Sequence, residues 1–218
     1  MSTLREIEQK NPEWRPWLAL VEQVLAELDD AAWDAAVPPL GSVPAGAPLL
    51  AAAQLQTSEL EGLRKRLGRS AATELLLPLP LLHACRRRWQ DAVPQTWSQG
   101  YCPICGAWPA FAELCGVERS RYLRCGRCGA GWRVHGLSCP YCGTRDHQAL
   151  GSLVAEQGAA PWSIEVCKRC RGYVKTFTRL EPGAPAQGLI DDLASVELDL
   201  AAKQRGYLRP EGPGYTSS

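Results

Sequence analysis

No apolar run in this chain of 218 residues is long enough to cross a bilayer: the longest, Leu75 to Ala84, is interrupted by Pro78 and Pro80 and falls short of the ~20 residues a spanning helix needs. No membrane segment is expected. The N-terminus, Met-Ser-Thr-Leu-Arg-Glu-Ile-Glu, mixes charges and lacks the apolar core and cleavage site of an export signal, which predicts a cytoplasmic protein. A net charge of +1 with 45% apolar and 22% charged residues excludes collagen-like, mucin-like and wholly disordered chains and suits one to three ordinary domains. Catalytic signatures are missing too. No Ser-His-Asp triad, paired-carboxylate arrangement or phosphate-binding loop stands out, which argues against a hydrolase or nucleotide enzyme, and no catalytic residue is assigned.

Cysteine is what the chain has in excess. Ten cysteines in a reducing compartment do not read as disulfides, and eight of them form four Cys-x-x-Cys pairs: Cys102/Cys105, Cys125/Cys128, Cys139/Cys142 and Cys167/Cys170. Such a turn presents two sulfurs to one ion while its N–H groups donate to them. A following Gly permits the left-handed residue that completes the knuckle. Gly106, Gly129 and Gly143 occupy that position, whereas after Cys170 comes Arg171 and the glycine moves on to Gly172.

Two knuckles make one tetrahedral S₄ site. Nineteen residues separate Cys105 from Cys125 and 24 separate Cys142 from Cys167, against roughly 15–20 in zinc ribbons, which favours pairing first with second and third with fourth over an interleaved cross-brace. Two mononuclear sites suit eight doubled ligands better than one four-iron cluster. Such cages accept zinc and rubredoxin-type iron alike, so two metal ions per chain, Zn or Fe, are expected.

Around these motifs the chain divides into four regions. Residues 1–98 read as a small helical bundle: a helix from about Pro12 to residue 35 with Trp17, Leu18, Val21, Val24, Leu25 and Leu28 at helical spacing, a proline-rich loop over 37–48, a helix over 49–68, and another over 70–92 disturbed at Pro78 and Pro80. Residues 99–134 and 135–181 each form a rubredoxin-like module with too few large aliphatic residues for a conventional core, so metal binding is expected to hold each one. Residues 182–218 add a helix, with Asp191 and Asp192 placed to cap it, and a disordered tail from Pro210. The fold class is α+β.

Charge is uneven along the chain. Residues 101–180 carry nine Arg and two Lys against five acidic groups, a net +6, but eight thiolates around two divalent ions offset most of it. Arg119, Arg121, Arg124 and Arg127 therefore read as a solvated strand balancing the cages rather than a nucleic-acid contact, and a partner with an acidic surface lies between those readings. Cys85 and Cys115 are expected to be packed thiols, and His135 and His147 surface groups.

The motif order carries a resemblance. Tyr-Cys-Pro-Ile-Cys-Gly (101–106), Arg-Tyr-Leu-Arg-Cys-Gly-Arg-Cys-Gly-Ala-Gly-Trp (121–132), Ser-Cys-Pro-Tyr-Cys-Gly (138–143), Glu-Val-Cys-Lys-Arg-Cys-Arg-Gly-Tyr-Val-Lys (165–175) and Ile-Asp-Asp-Leu-Ala-Ser-Val-Glu-Leu-Asp-Leu-Ala (190–201) with Gly206-Tyr207 resemble the formate dehydrogenase accessory protein family, FdhE type, over about residues 99–208. The resemblance implies a helical N-terminal region followed by two rubredoxin-like modules in a non-enzymatic cytoplasmic maturation factor. It implies a partner, the catalytic subunit of a formate dehydrogenase, and the metal ligands Cys102, Cys105, Cys125, Cys128, Cys139, Cys142, Cys167 and Cys170. An aromatic surface around Trp108, Trp132, Trp162 and Tyr173 is the expected docking face. A rubredoxin-like iron redox or sulfur-handling carrier and a zinc-ribbon nucleic-acid binder are the other two readings.

Overall fold

The computed structural model describes residues 3–53, 58–68, 70–153 and 162–216. A capping box opens α1 (Leu4–Lys10): the Glu6 N–H donates to Thr3 Oγ1 at 3.3 Å and the Thr3 N–H to Glu6 Oε2 at 2.8 Å. α2 (Arg15–Leu28) takes Pro16 in its first turn and buries Leu18, Val21, Val24 and Leu28 along one stripe. It stops at Leu28, short of residue 35, because Asp30 caps a separate 3-10 turn (Ala31–Ala36), accepting from the Ala32 N–H at 2.8 Å. The helix expected over 49–68 is instead a 3-10 turn (Leu49–Ala52) and α3 (Ser58–Leu67), with 54–57 outside the described residues. The stretch 70–92 divides at Pro78 into α4 (Ala71–Leu76) and α5 (Leu79–Trp89), since proline supplies no N–H to a continuing helix.

α5 is the centre of the helical layer. It buries Leu79 to Cys85 and Trp89, and its Arg87 donates to the carbonyls of Leu28 and Asp30 and to Asp34 Oδ1, which satisfies carbonyls left open at the end of α2.

The remainder is one six-stranded sheet of order β3-β2-β1-β6-β5-β4. The strands are β1 (Pro109–Cys115), β2 (Ser120–Cys125), β3 (Gly131–Arg133), β4 (Leu150–Leu153), β5 (Trp162–Cys167) and β6 (Tyr173–Arg179). Each half repeats one plan, a knuckle, an antiparallel hairpin, a second knuckle and a third strand. The halves meet where β1 runs parallel to β6, from Phe111 opposite Lys175 to Cys115 opposite Arg179. Spacing alone suggests two modules with separate small cores, whereas the pairing makes one continuous sheet. Nor does the first half rely on sulfur alone: Leu49, Leu63, Leu81, Leu82 and Trp89 from the helical layer share one buried cluster with Cys102, Ile104, Ala112, Leu123, Cys125, Cys128 and Trp132.

Two helices follow where one was expected, α6 (Gln187–Ala194) and α7 (Val196–Gln204). Asp191 and Asp192 sit inside α6 rather than capping it, because they face the sheet's cations. Arg179 Nη2 lies 2.5 Å from Asp191, and the fully buried Lys175 Nζ reaches Asp192 at 2.7 Å and Asp199 at 2.9 Å. Buried Glu113 on β1 closes this network, accepting from Arg124 Nε and Nη2 at 3.0 and 2.8 Å and from the Gly183 N–H at 3.1 Å, and pairing with Arg179 Nε at 3.2 Å. The tail expected to be disordered also makes a defined contact: the Tyr215 N–H donates to the Gly106 carbonyl at 3.0 Å.

Two outcomes follow from the network. Glu113→Ala leaves the largely buried Arg124 without its carboxylate partner and removes one of the two that Arg179 has, and is expected to cost about 3–5 kcal/mol, read as a fall in the urea midpoint, whereas the exposed Glu181→Ala stays within about 0.5 kcal/mol. Against the opposing effect of burial, Arg209 and Lys175 hold the Asp192 carboxyl below its usual range. The stability this contributes is complete above about pH 4 and is lost as pH falls through the depressed value. Asp192→Asn is therefore expected to be less stable at neutral pH and to show a shallower acid limb in pH-dependent unfolding.

Candidate metal centres

Each knuckle is built by its own backbone. The Cys102 N–H donates to the Ala107 carbonyl at 2.9 Å and the Gly106 N–H to the Cys102 carbonyl at 3.0 Å; the same pair of bonds recurs at Cys125/Ala130 with Gly129 and at Cys139/Thr144 with Gly143. Gly106, Gly129 and Gly143 carry φ of 74°, 70° and 69°. In the fourth knuckle the left-handed residue is Arg171 itself, with φ 60°, and not Gly172. Gly172 serves close packing, since a Cβ there would lie 2.5 Å from the Tyr141 ring.

The fold brings the first knuckle to the second and the third to the fourth. In each set of four the sulfurs lie within 4.8 Å of one another. Cys102 and Cys128 Sγ are 3.5 Å apart, as are Cys105 and Cys125; Cys139 and Cys170 are 3.6 Å apart, and Cys142 and Cys167 3.7 Å. All eight cysteines are free. A disulfide requires about 2.05 Å, whereas four sulfurs at ~2.3 Å from a tetrahedral ion stand ~3.8 Å apart, so the donor sets fit metal ions and not disulfides. The sulfurs also receive N–H donors: Ile104 and Cys105 N–H point to Cys102 Sγ at 3.4 and 3.5 Å, and Arg127 and Cys128 N–H to Cys125 Sγ at the same distances. The two Cys₄ groups can thus hold two ions.

Electrostatics point the same way. In the first centre burial pushes the Cys102 and Cys128 thiols well above their ordinary value, while Cys125, hydrogen-bonded by Cys102, Cys105 and Cys128, falls well below it. A cation at the middle removes the penalty on the others. In the second centre burial raises Cys139 and Cys170, whereas N–H groups of Cys170 and Arg169 overcome burial and lower Cys167.

The two centres differ in setting. Cys102, Cys125 and Cys128 are enclosed by the largest apolar cluster, with Cys105 half-buried at its margin, whereas Cys142 and Cys170 of the second centre are exposed. Arg86 of α5 lies near Cys128, a basic neighbour that spacing could not assign. His83, also on α5, is buried against the knuckle at Gly129; burial lowers it to about 4, so it stands neutral there.

Other residues fall as follows. Cys85 is buried with its thiol pushed up to about 12, and Cys115 is a packed thiol raised by burial; His135 and His147 are exposed. Arg121 and Arg124 do not form a solvated strand. They are buried and paired, Arg121 with Glu165 at 2.6 Å and Arg124 with Glu113, leaving Arg119 and Arg127 exposed. The expected aromatic docking face does not exist as drawn: Trp132 and Tyr173 are buried, each locked by a hydrogen bond, Trp132 Nε1 to the Gln99 carbonyl and Tyr173 Oη to Asp199.

A helical layer bound to a sheet that carries two Cys₄ knuckle pairs defines a tandem zinc-ribbon, metal-binding protein. Within that class, residues 137–213 match the family model described as FdhE, C-terminal domain. A protein FdhE homolog of Aquifex aeolicus is 30% identical over 120 residues, 54% of this chain and 42% of that protein. A protein FdhE homolog of Pseudomonas aeruginosa is 36% identical over 126 residues, 55% of this chain and 40% of that one. The chain thus spans less than half the length of these curated relatives. The crystal structure of the FdhE protein from Pseudomonas aeruginosa aligns with a TM-score of 0.61 at 25% identity, over 97% of this chain and 92% of that one. The shared fold therefore includes the N-terminal helices, in which no motif had marked a resemblance.

The difference in enclosure has a measurable result. Brief alkylation of the metal-loaded protein is expected to modify Cys142 and Cys170 at least tenfold faster than Cys102, Cys125 or Cys128, with release of one equivalent of metal before the other, followed by mass spectrometry and a chromogenic chelator. Cys102→Ser is expected to loosen the helical layer together with β1 to β3 in hydrogen exchange, because they share one core. Cys139→Ser is expected to loosen chiefly β4 to β6.

Proposed function

We propose that this chain is a non-enzymatic accessory factor in the cytoplasm that binds the catalytic subunit of a formate dehydrogenase and supports its assembly or activity. The observation that carries this reading is the match of residues 137–213, which hold the second Cys₄ group and α6 with its Asp191-Asp192 pair, to the FdhE family model, beside a first Cys₄ group on the same sheet. In it Cys102, Cys105, Cys125 and Cys128 hold one metal ion and Cys139, Cys142, Cys167 and Cys170 a second. The ions, zinc or iron, supply charge compensation and cross-linking. The chain's own residues do the remaining work: knuckle N–H groups orient the sulfurs, α5 seals the first centre, and the Glu113 network fixes the helices on the sheet.

Among the described residues no helix is long and apolar enough to cross a membrane, which agrees with a factor meeting its client on one side of the bilayer. Affinity purification of the tagged chain from cells growing on formate is expected to enrich a formate dehydrogenase catalytic subunit; its consistent absence, with the metals still bound, would overturn the proposal.

A second reading rests on one further observation, the exposure of Cys142 and Cys170. An iron held there lies at the surface, where electron exchange with a partner is short-range. Protein isolated anaerobically from its native host decides between the readings: thiolate-to-iron absorption that bleaches on reduction supports the redox role, and a colourless protein with two zinc ions removes it.

A further inference from the structure

The four sulfurs of the first centre are not equally provided for. Backbone N–H groups point at Cys102 and Cys125, and Cys105 is half-buried, where water reaches it. Cys128 is fully buried, and among the described residues no N–H group donates to its sulfur, which lies 3.5 Å from that of Cys102. Its thiolate is the one that neither backbone nor solvent compensates.

α5 packs against this corner. Leu82, Cys85 and Trp89 belong to the same apolar cluster as Cys128, and helical spacing sets Arg86 beside them, one turn after Leu82 and one turn before Trp89. Three arginines stand in a row there and have three fates. Arg88 is exposed, and Arg87 commits its guanidinium to the Asp30 carbonyl and to Asp34. Arg86 is half-buried: its Nη1 reaches Gln90 Oε1 at 3.5 Å, and its Nε is buried with no hydrogen-bond partner among the described residues. Burial works against its charge, and the strongest attraction opposing that comes from Cys128, ahead of Asp29, while Arg87 and Arg124 repel it. One turn earlier His83, 3% exposed, stands so close to the second knuckle that a Cβ on Gly129 would lie 3.0 Å from its Cε1, and its Nδ1 is likewise buried and without a partner.

Two unpartnered nitrogens a turn apart on one helix, both turned to the same knuckle, destabilise the protein taken by itself. Four thiolates around a divalent ion carry a net charge of about −2, and a buried negative group of that kind makes a nearby cation favourable. At metal sites in general, groups beyond the ligands orient them and decide how firmly the ion is kept. The second centre needs no such residue, because water reaches Cys142 and Cys170.

We infer that Arg86 of α5 is a positioning residue of the first centre, its charge standing against the Cys128 thiolate when an ion is bound and so governing how long that centre keeps its ion. The inference rests on the reading that Cys102, Cys105, Cys125 and Cys128 hold an ion and is independent of the client.

The test challenges the full chain, loaded with zinc, with excess chelator. Cysteines freed over time are alkylated and located by mass spectrometry, so each centre reports separately. Arg86→Gln keeps N–H groups without the charge, Arg86→Met keeps the apolar stem, and Arg86→Lys keeps the charge. Arg86→Gln and Arg86→Met are expected to expose the first-centre cysteines at least about tenfold faster than the unaltered chain, with the second centre unchanged, and Arg86→Lys to stay within about threefold of it. A stem that merely packs would make Arg86→Lys and Arg86→Met alike. Release from Arg86→Gln and Arg86→Met at the unaltered rate, release from Arg86→Lys as fast as from Arg86→Met, or equal acceleration at both centres would overturn the inference. Loss of the native circular dichroism in all three variants would overturn it too, since the charge would then serve the fold and not the centre. An unaltered chain that binds no ion at these four sulfurs would sink the reading of the site itself, a result that metal analysis gives before any substitution is made.

Discussion

Four thiol sulfurs held about 3.5 Å apart inside an apolar core cannot all ionise unless a positive charge stands among them, and the architecture is arranged around that constraint. In the first centre the surroundings leave little choice. Leu81, Leu82, Cys85 and Trp89 from the helical layer and Ala112, Leu123 and Trp132 from the sheet share one buried cluster with Cys102, Cys125 and Cys128, so water can supply little of the compensation beyond the half-buried Cys105. The backbone N–H groups that point at Cys102 and Cys125 lower the cost without cancelling it. The helical layer and the first knuckle pair share one apolar cluster, so an ion held by these four sulfurs would stand within that core.

The second centre meets the same constraint under milder terms. With Cys142 and Cys170 open to water, solvent carries part of the charge, and fewer large side chains pack around it. Rigidity there comes from ion pairs: Lys175, Arg179 and Arg209 bind the carboxylates of α6 and α7 to the sheet, and Arg171 donates to the carbonyls of Arg205 and Gly206 at the end of α7. The molecule thus holds one sulfur cluster chiefly by burial and the other chiefly by charge.

How far the sequence foretold this depends on how local each feature is. Three knuckles were legible because Cys-x-x-Cys-Gly closes its own hydrogen bonds within six residues, and spacing favoured the pairing of the sulfurs that the fold shows; in the fourth the left-handed residue is Arg171 and not the expected Gly172. The β1–β6 seam was not, because pairing between strands some 60 residues apart leaves no trace in either strand's pattern. The arginines misled for the same reason. Arg121 and Arg124 alternate as solvated residues would, and their partners, Glu165 and Glu113, lie 44 and 11 positions away. Asp191 and Asp192 looked like helix caps because a carboxylate near a helix start and one aimed at a buried lysine are indistinguishable in one dimension. The tail reads as disordered by composition, since prolines and glycines signal missing regular structure and say nothing about a docking surface elsewhere in the chain.

The parallel join between β1 and β6 reaches into how the chain comes to be made. During synthesis β1 emerges long before β6, and until the later strand arrives its outer N–H and C=O groups have nothing to pair with, a bare edge of the kind that invites intermolecular β-association. Dividing this protein between its two halves would leave one such edge on each fragment. The halves must therefore be inherited, expressed and matured together, whatever each centre does by itself.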